Sequence, residues 1–229
     1  MTKKVQLFVG ALVAVCAFSA LVVASASALT FETAKWLAAA KTVETSLATE
    51  TTGGLLFENT GSPKGAILCE GIFIGTVGSA GADTITEVQT AGKVKVTELD
   101  TEGGGGGIKC TSLEGCLEEA EAWPVNLPFK TTLMLDTVSG KYFDLVLNGE
   151  YHIRCLALLK IQIEELCIAP PNGLSWAEIE NLATDVAASS TNAAEPLSEC
   201  NGKELVGLLI GDAGNLTFLT SGEALQASE

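Results

Sequence analysis

Any chemistry done by this chain has few residues to draw on: one histidine, one arginine and many acids. His152 and Arg154 stand two apart in the run EYHIRCL, and Phe143, Leu145 and Leu147 lie just before them across Asn148-Gly149. An imidazole and a guanidinium beside apolar side chains suit the polar anchor of a small apolar ligand, with Phe143, His152 and Arg154 as its contacts. The plainer reading is a structural ion pair between Arg154 and a carboxylate, with the guanidinium plane resting on Phe143. Nucleophilic catalysis fits poorly. A Ser-His-Asp or Cys-His centre must use His152, which no G-x-S-x-G elbow accompanies, and catalytic zinc wants two or three histidines. A glycosidase needs only two carboxylates at a suitable separation, and 28 Asp and Glu leave that open.

Other motifs point away from cofactors. The glycine tract Gly103 to Gly107 lacks the Lys-Ser/Thr of a phosphate loop and the helix of a dinucleotide site, so it reads as a flexible surface loop. Glu118, Glu119 and Glu121 read as a solvated face, since no D-x-D-x-D-G run supplies the alternating oxygens of a calcium loop. No cofactor or metal site is expected. Asn215-Leu216-Thr217 is a formal glycosylation sequon.

Compartment follows from the first residues and from the cysteines. Lys3 and Lys4, an apolar run from Val5 to Ala24, and Ala26-Ser27-Ala28 make a basic region, a hydrophobic region and a small-residue cleavage site. Residues 1–28 are read as a cleaved signal peptide and 29–229 as a single secreted or cell-surface domain. The formal net charge of −15 becomes two units more negative once the two lysines leave. That field repels nucleic acid and anionic lipid, and no membrane association is expected after cleavage. Cys16 goes with the signal. Cys69, Cys110, Cys116, Cys155, Cys167 and Cys200 remain, an even set that reads as a disulfide framework in an exported chain. Sequence alone does not choose the pairing. Proximity suggests Cys110 with Cys116 and Cys155 with Cys167, which leaves Cys69 with Cys200 to tie the ends of the domain.

The elements that must position these residues are strands. From Phe129 to Ile168, three runs rich in Leu, Val, Ile, Tyr and Phe are separated by Val138-Ser139-Gly140 and Asn148-Gly149, residues that tolerate tight turns. This predicts a β-meander. If Asn148-Gly149 closes a two-residue hairpin, Leu145 faces His152 and Phe143 faces Arg154, and both faces of the hairpin are apolar enough to be sandwiched. Phe31 to Lys41 is ambiguous. Strands are expected from Val43 to Phe57, broken at Gly53-Gly54; from Ala66 to Val77, with a bulge; and over Thr84 to Leu99, turning at Ala91-Gly92. Pro170-Pro171 ends the meander. Ser175-Trp176-Ala177-Glu178 matches a capping box, and Trp176, Ile179, Leu182, Ala183 and Val186 share a helical face, so one short helix competes with a strand there. Leu205 to Ile210 and Leu216 to Thr220 suggest a last hairpin.

The run ALTFETAKWLAAAK, the segment WPVNLPFKTTL and the spaced cysteines resemble an uncharacterised family of exported actinobacterial proteins. The resemblance spans most of residues 29–229 and implies export and a β-rich fold. It implies no activity and no site. The fold expected is all-β, an antiparallel sandwich or flattened barrel with at most one short helix, disulfide-bonded. The function expected is non-catalytic: a surface or matrix component binding an extracellular protein or glycan through its loops. Two alternatives stay open, a carrier enclosing a small apolar ligand and a carboxylate-based glycosidase. A filled interior favours the first function, and a cavity lined by Phe143, Leu145, Leu147, His152 and Arg154 favours the carrier.

Overall fold

The computed structural model describes residues 30–59, 65–96, 107–116, 120–147, 149–156, 162–168, 175–189, 198–200, 203–205, 208–210 and 215–229. The signal segment, Gly103 to Gly106, Glu118, Glu119 and Pro170-Pro171 lie outside them. In chain order the strands are β1 (Phe31–Thr33), β2 (Lys35–Ala38), β3 (Lys41–Thr42), β4 (Leu47–Asn59), β5 (Gly65–Val77), β6 (Ala82–Thr90), β7 (Ile108–Glu114), β8 (Ala120–Pro124), β9 (Phe129–Asp136) and β10 (Lys141–Leu147). They continue with β11 (Glu150–Leu156), β12 (Gln162–Ile168), β13 (Ser175–Asn181), β14 (Val186–Ser189), β15 (Ser198–Cys200), β16 (Lys203–Leu205), β17 (Leu208–Ile210), β18 (Asn215–Leu219) and β19 (Leu225–Ser228). Among the described residues the helical content is one 3-10 turn, Ser79–Gly81.

Eight strands close on themselves. The antiparallel pairings run β4–β5–β6–β9–β10–β13–β14–β18 and back to β4, a barrel with no free edge. Period-2 alternation sets its walls: in β9, Phe129, Thr131 and Leu133 are buried while Lys130 is exposed. Lys130, Lys141, Glu178 and Glu180 stand on the outer wall, with Lys141 paired to Glu178 at 2.8 Å, so that wall meets water. The β9–β10 hairpin forms where the sequence places it. Asp136 accepts from the backbone N–H groups of Val138 and Ser139 at 3.2 and 3.1 Å, and Gly140 takes a φ of +71° to complete the turn.

A second sheet leaves the barrel along β5. Its last residues, Gly71 to Val77, pair with β6, whereas Ala66 to Cys69 pair with β7, and from there β8, β11, β12, β15 and β16 follow in order. The expected bulge in β5 lies between Ile74 and Gly75. At the other end, β2, β3 and β19 form a small sheet that joins the beginning of the folded unit to its end. Trp36 and Leu225 from this sheet, with Val43 just past β3, pack against Val77, Leu133, Ile179 and Leu219 and plug the barrel. A second core, with Phe73, Ile108, Trp123, Phe129 and Tyr151, lies between the outer sheet and the barrel.

Several expectations are corrected. β10 and β11 form no hairpin: β10 pairs with β9 and β13, and β11 with β8 and β12. Phe129 to Ile168 is therefore two hairpins, one in the barrel and one outside it. Both strands are apolar on each face, so nothing local holds Asn148-Gly149 to a tight turn once longer-range partners compete. Residues 175–186 are strand β13 and the start of β14 with a turn between, and Ala177 and Ile179 point inward with period 2; pairing with β10 overrides the capping-box pattern. Gly53-Gly54 sits inside β4, and Phe31 to Lys41 is strand throughout most of its length. The last two runs form no hairpin with each other. β17 and β18 both pair with β4, end to end along the edge that β5 leaves open.

The described disulfides are Cys69–Cys110 and Cys116–Cys155, so none of the three pairings suggested by proximity forms. Sequence neighbours such as Cys110 and Cys116 sit on one strand and its exit. The partners that meet are 41 and 39 residues apart: Cys69 and Cys110 are cross-strand neighbours on β5 and β7, and Cys116, just past β7, reaches Cys155 on β11 across β8.

Candidate functional site

The residues expected to anchor a ligand are not brought together. Phe143 faces the outer wall of the barrel, where its ring meets Phe31 edge to face with centroids 5.8 Å apart. His152 and Arg154 lie on β11 in the outer sheet, over Trp123. The Arg154 guanidinium carbon is 4.8 Å from the Trp123 ring centroid, and the His152 ring is 6.3 Å from it. Arg154 Nη2 donates to Glu121 Oε2 at 2.8 Å, while Lys109 Nζ donates to the other oxygen at 2.5 Å. The plainer reading of Arg154, an ion pair plus an aromatic stack, describes it well, with Glu121 and Trp123 as partners in place of Phe143. Glu121 is corrected too, from solvated acid to buried hub. Register explains the trio: Lys109 and Arg154 are each the cross-strand partner of Glu121, on either side of β8. Burial pushes the Glu121 carboxyl up, but the two cations outweigh it and hold it below the usual range.

The chemistry lies instead inside the barrel. An eight-stranded barrel is just wide enough for its side chains to fill it, or for small ones to leave room for a ligand. Here Thr49, Thr51, Ala177, Ala188 and Thr217 are small, and a cavity of about 100 Å³ remains between them, Trp36 at one end and Phe73, Phe129 and Tyr151 at the other. This is on the scale of the roughly 150 Å³ apolar cavities known to admit benzene. The space is too small for two linked sugar rings, which argues against a glycosidase working there.

The cavity carries two carboxyls. Asp83 on β6 and Asp144 on β10 flank Thr131 on β9, and the Thr131 hydroxyl hydrogen-bonds both. Trp36 Nε1 donates to Asp83 Oδ2 at 2.6 Å, and the Gly78 N–H donates to Oδ1 at 3.3 Å. Asp144 is less well served: its Oδ1 is shut off from solvent without a hydrogen-bond partner. Burial pushes the Asp144 carboxyl up to about 7. Burial, reinforced by the neighbouring Asp144 charge, pushes Asp83 up to about 9. Burial also raises the Tyr151 phenol. Among the described residues no Lys, Arg or His lines the cavity.

On the strand opposite β9 in the ring stands Asn215, fully buried. Its Nδ2 donates to the Gly54 carbonyl at 3.1 Å, and its Oδ1 is the other buried oxygen without a partner. Gly53 makes room for it. With φ at +156°, a Cβ on Gly53 would lie on the Asn215 carboxamide, so the glycine pair that looked like a strand break is the seat of this side chain. Asn215 is also the sequon residue, and burial inside the barrel puts it out of reach of glycosylation in the folded protein.

Sequence reasoning missed Asp83, Asp144, Thr131 and Asn215. Asp144 is the one acid in the strand KYFDLVL, a local pattern that does not say which face of the strand lies inward. Among the described residues no group of three or more His, Cys, Asp and Glu gathers to hold a metal. No protein-family model, curated protein or solved structure matches this chain.

Proposed function

We propose that this protein is an exported, disulfide-stabilised β-barrel that binds a small molecule in its interior without transforming it. The observation that carries this reading is a closed barrel left unfilled around two buried oxygens with no hydrogen-bond partner, Asp144 Oδ1 and Asn215 Oδ1. No protein group satisfies these two acceptors, so their partners must be water or the donors of a ligand that displaces it. The carrier reading of the sequence puts its ligand beside Phe143, His152 and Arg154, whereas the cavity supports a carrier with a different lining. The ligand room is the barrel, away from His152 and Arg154. Export is supported by the Lys3-Lys4 and Ala26-Ser27-Ala28 pattern, by the two disulfides, which persist in oxidising compartments, and by the resemblance to exported actinobacterial proteins.

The test is ligand-dependent thermal stabilisation across a panel of small alcohols, amides, amines and acids. Ala188→Leu, which places four-carbon bulk in the cavity, should abolish the stabilisation while leaving a folded protein. Equal stabilisation of wild type and Ala188→Leu would put the binding elsewhere and refute the reading.

A further inference from the structure

Resting on the barrel as a ligand site, we propose that its ligand is a small organic cation, a primary ammonium whose N–H groups meet the Asp144 and Asp83 carboxyls and whose short apolar part lies between Phe73, Phe129 and Val146. Three observations converge. Among the described residues, the titratable side chains that line the cavity are Asp83, Asp144 and Tyr151, with none that is basic, so a charge complement is expected from outside. The unpartnered atoms there are Asn215 Oδ1, an acceptor, and Asp144 Oδ1, which is one as soon as its carboxyl gives up a proton, so the partner that fits both is a donor. Asn215 is completely buried, and Gly53 is shaped around its carboxamide, so this oxygen is a built feature and not a surface accident. The walls add aromatic faces that attract a cation once water is excluded. A bare divalent ion is a worse match, because it finds two carboxyls and no third acidic or imidazole ligand.

Binding has a proton balance. In the empty barrel the carboxyl pair retains protons near neutral pH because burial penalises its charge. An ammonium removes that penalty, so the cation enters as a proton leaves to solvent, and the ligand is exchanged for a proton with no change in cavity charge. Affinity therefore rises with pH from 6 to 8, and acid releases the ligand.

Isothermal titration calorimetry on the mature protein tests this with propylammonium, 1-propanol, propionate and calcium ion, at pH 6 and 8, in two buffers of different protonation enthalpy. The expected result is saturable binding of propylammonium, at least tenfold tighter than 1-propanol, tightening with pH and releasing a proton. Asp144→Asn should weaken propylammonium at least tenfold, and by a larger factor than it changes 1-propanol. Stronger binding of 1-propanol, propionate or calcium, or no proton release, overturns the cation assignment and leaves the barrel reading standing. If none of the four binds and the broader panel also fails to stabilise the protein, both fail together.

Discussion

Asp83 and Asp144 make the empty barrel sensitive to pH in a direction opposite to that of an ion-paired acid. Both carboxyls are raised well above their ordinary value of 3.8, so between that value and roughly 7 to 9 the folded state holds protons that the unfolded chain has lost. Stability therefore falls as pH rises through this window, and is greatest below it. We expect Tm to be several degrees lower at pH 9 than at pH 5, with Asp144→Asn removing much of the difference. The variant is the control that matters, since general repulsion in so acidic a chain gives a trend of the same sign. Glu121 behaves conversely. Glu121→Gln should cost about 2–3 kcal/mol by loosening both cations at once, whereas Arg154→Met should cost less, about 1–2 kcal/mol, because Lys109 still serves the carboxylate; urea unfolding of the two variants checks the order. Arg154 was legible from sequence as the sole arginine in a strand, needing a partner. Asp144 was not, since an acid at an inward position looks like any other until the inner wall is known.

At the scale of elements, the staples follow the open sheet. A closed barrel has no edges to secure, whereas the outer sheet ends in the short strands β15 and β16, and of the described disulfides one ties that sheet to β5 and the other ties the segment after β7 to β11. Cys167 on β12 and Cys200 on β15 are cross-strand partners, the same relation that Cys69 and Cys110 hold across β5 and β7. The expected third bridge is Cys167–Cys200. Peptide mapping of the secreted, non-reduced protein should find it with the other two, and titration after denaturation should find no free thiol; two or more free thiols contradict this. Gly107 gives a second prediction. A Cβ there would come within 2.7 Å of the buried Trp123 ring, so Gly107→Ala should displace the ring and cost about 1–3 kcal/mol, measurable as lost stability and altered tryptophan fluorescence. Strand positions were largely readable, because alternation, bulge-forming glycines and Asp136-to-Gly140 turn chemistry are local signals. Partner choice was not. Whether β10 pairs with β11 or with β13 depends on competition between surfaces 30 residues apart, which no local pattern encodes.

For the whole molecule, the difference between sandwich and barrel turned on one pairing, β4 with β18, which brings the last part of the chain back to the first long strand. That closure makes an inside. Alternation in eight strands then sends Thr, Ala, Asp and Asn into one space, and the plug around Trp36 shuts its end. The account stands on that interior being where a small molecule resides. Its most direct measurement is methyl-resolved nuclear magnetic resonance during titration with small solutes. Shift changes should concentrate at Thr49, Thr51, Val146, Ala177 and Ala188, with Ile153 in the outer sheet unmoved. Saturating shifts around Ile153, with the methyls of those five interior residues unmoved, would contradict the account.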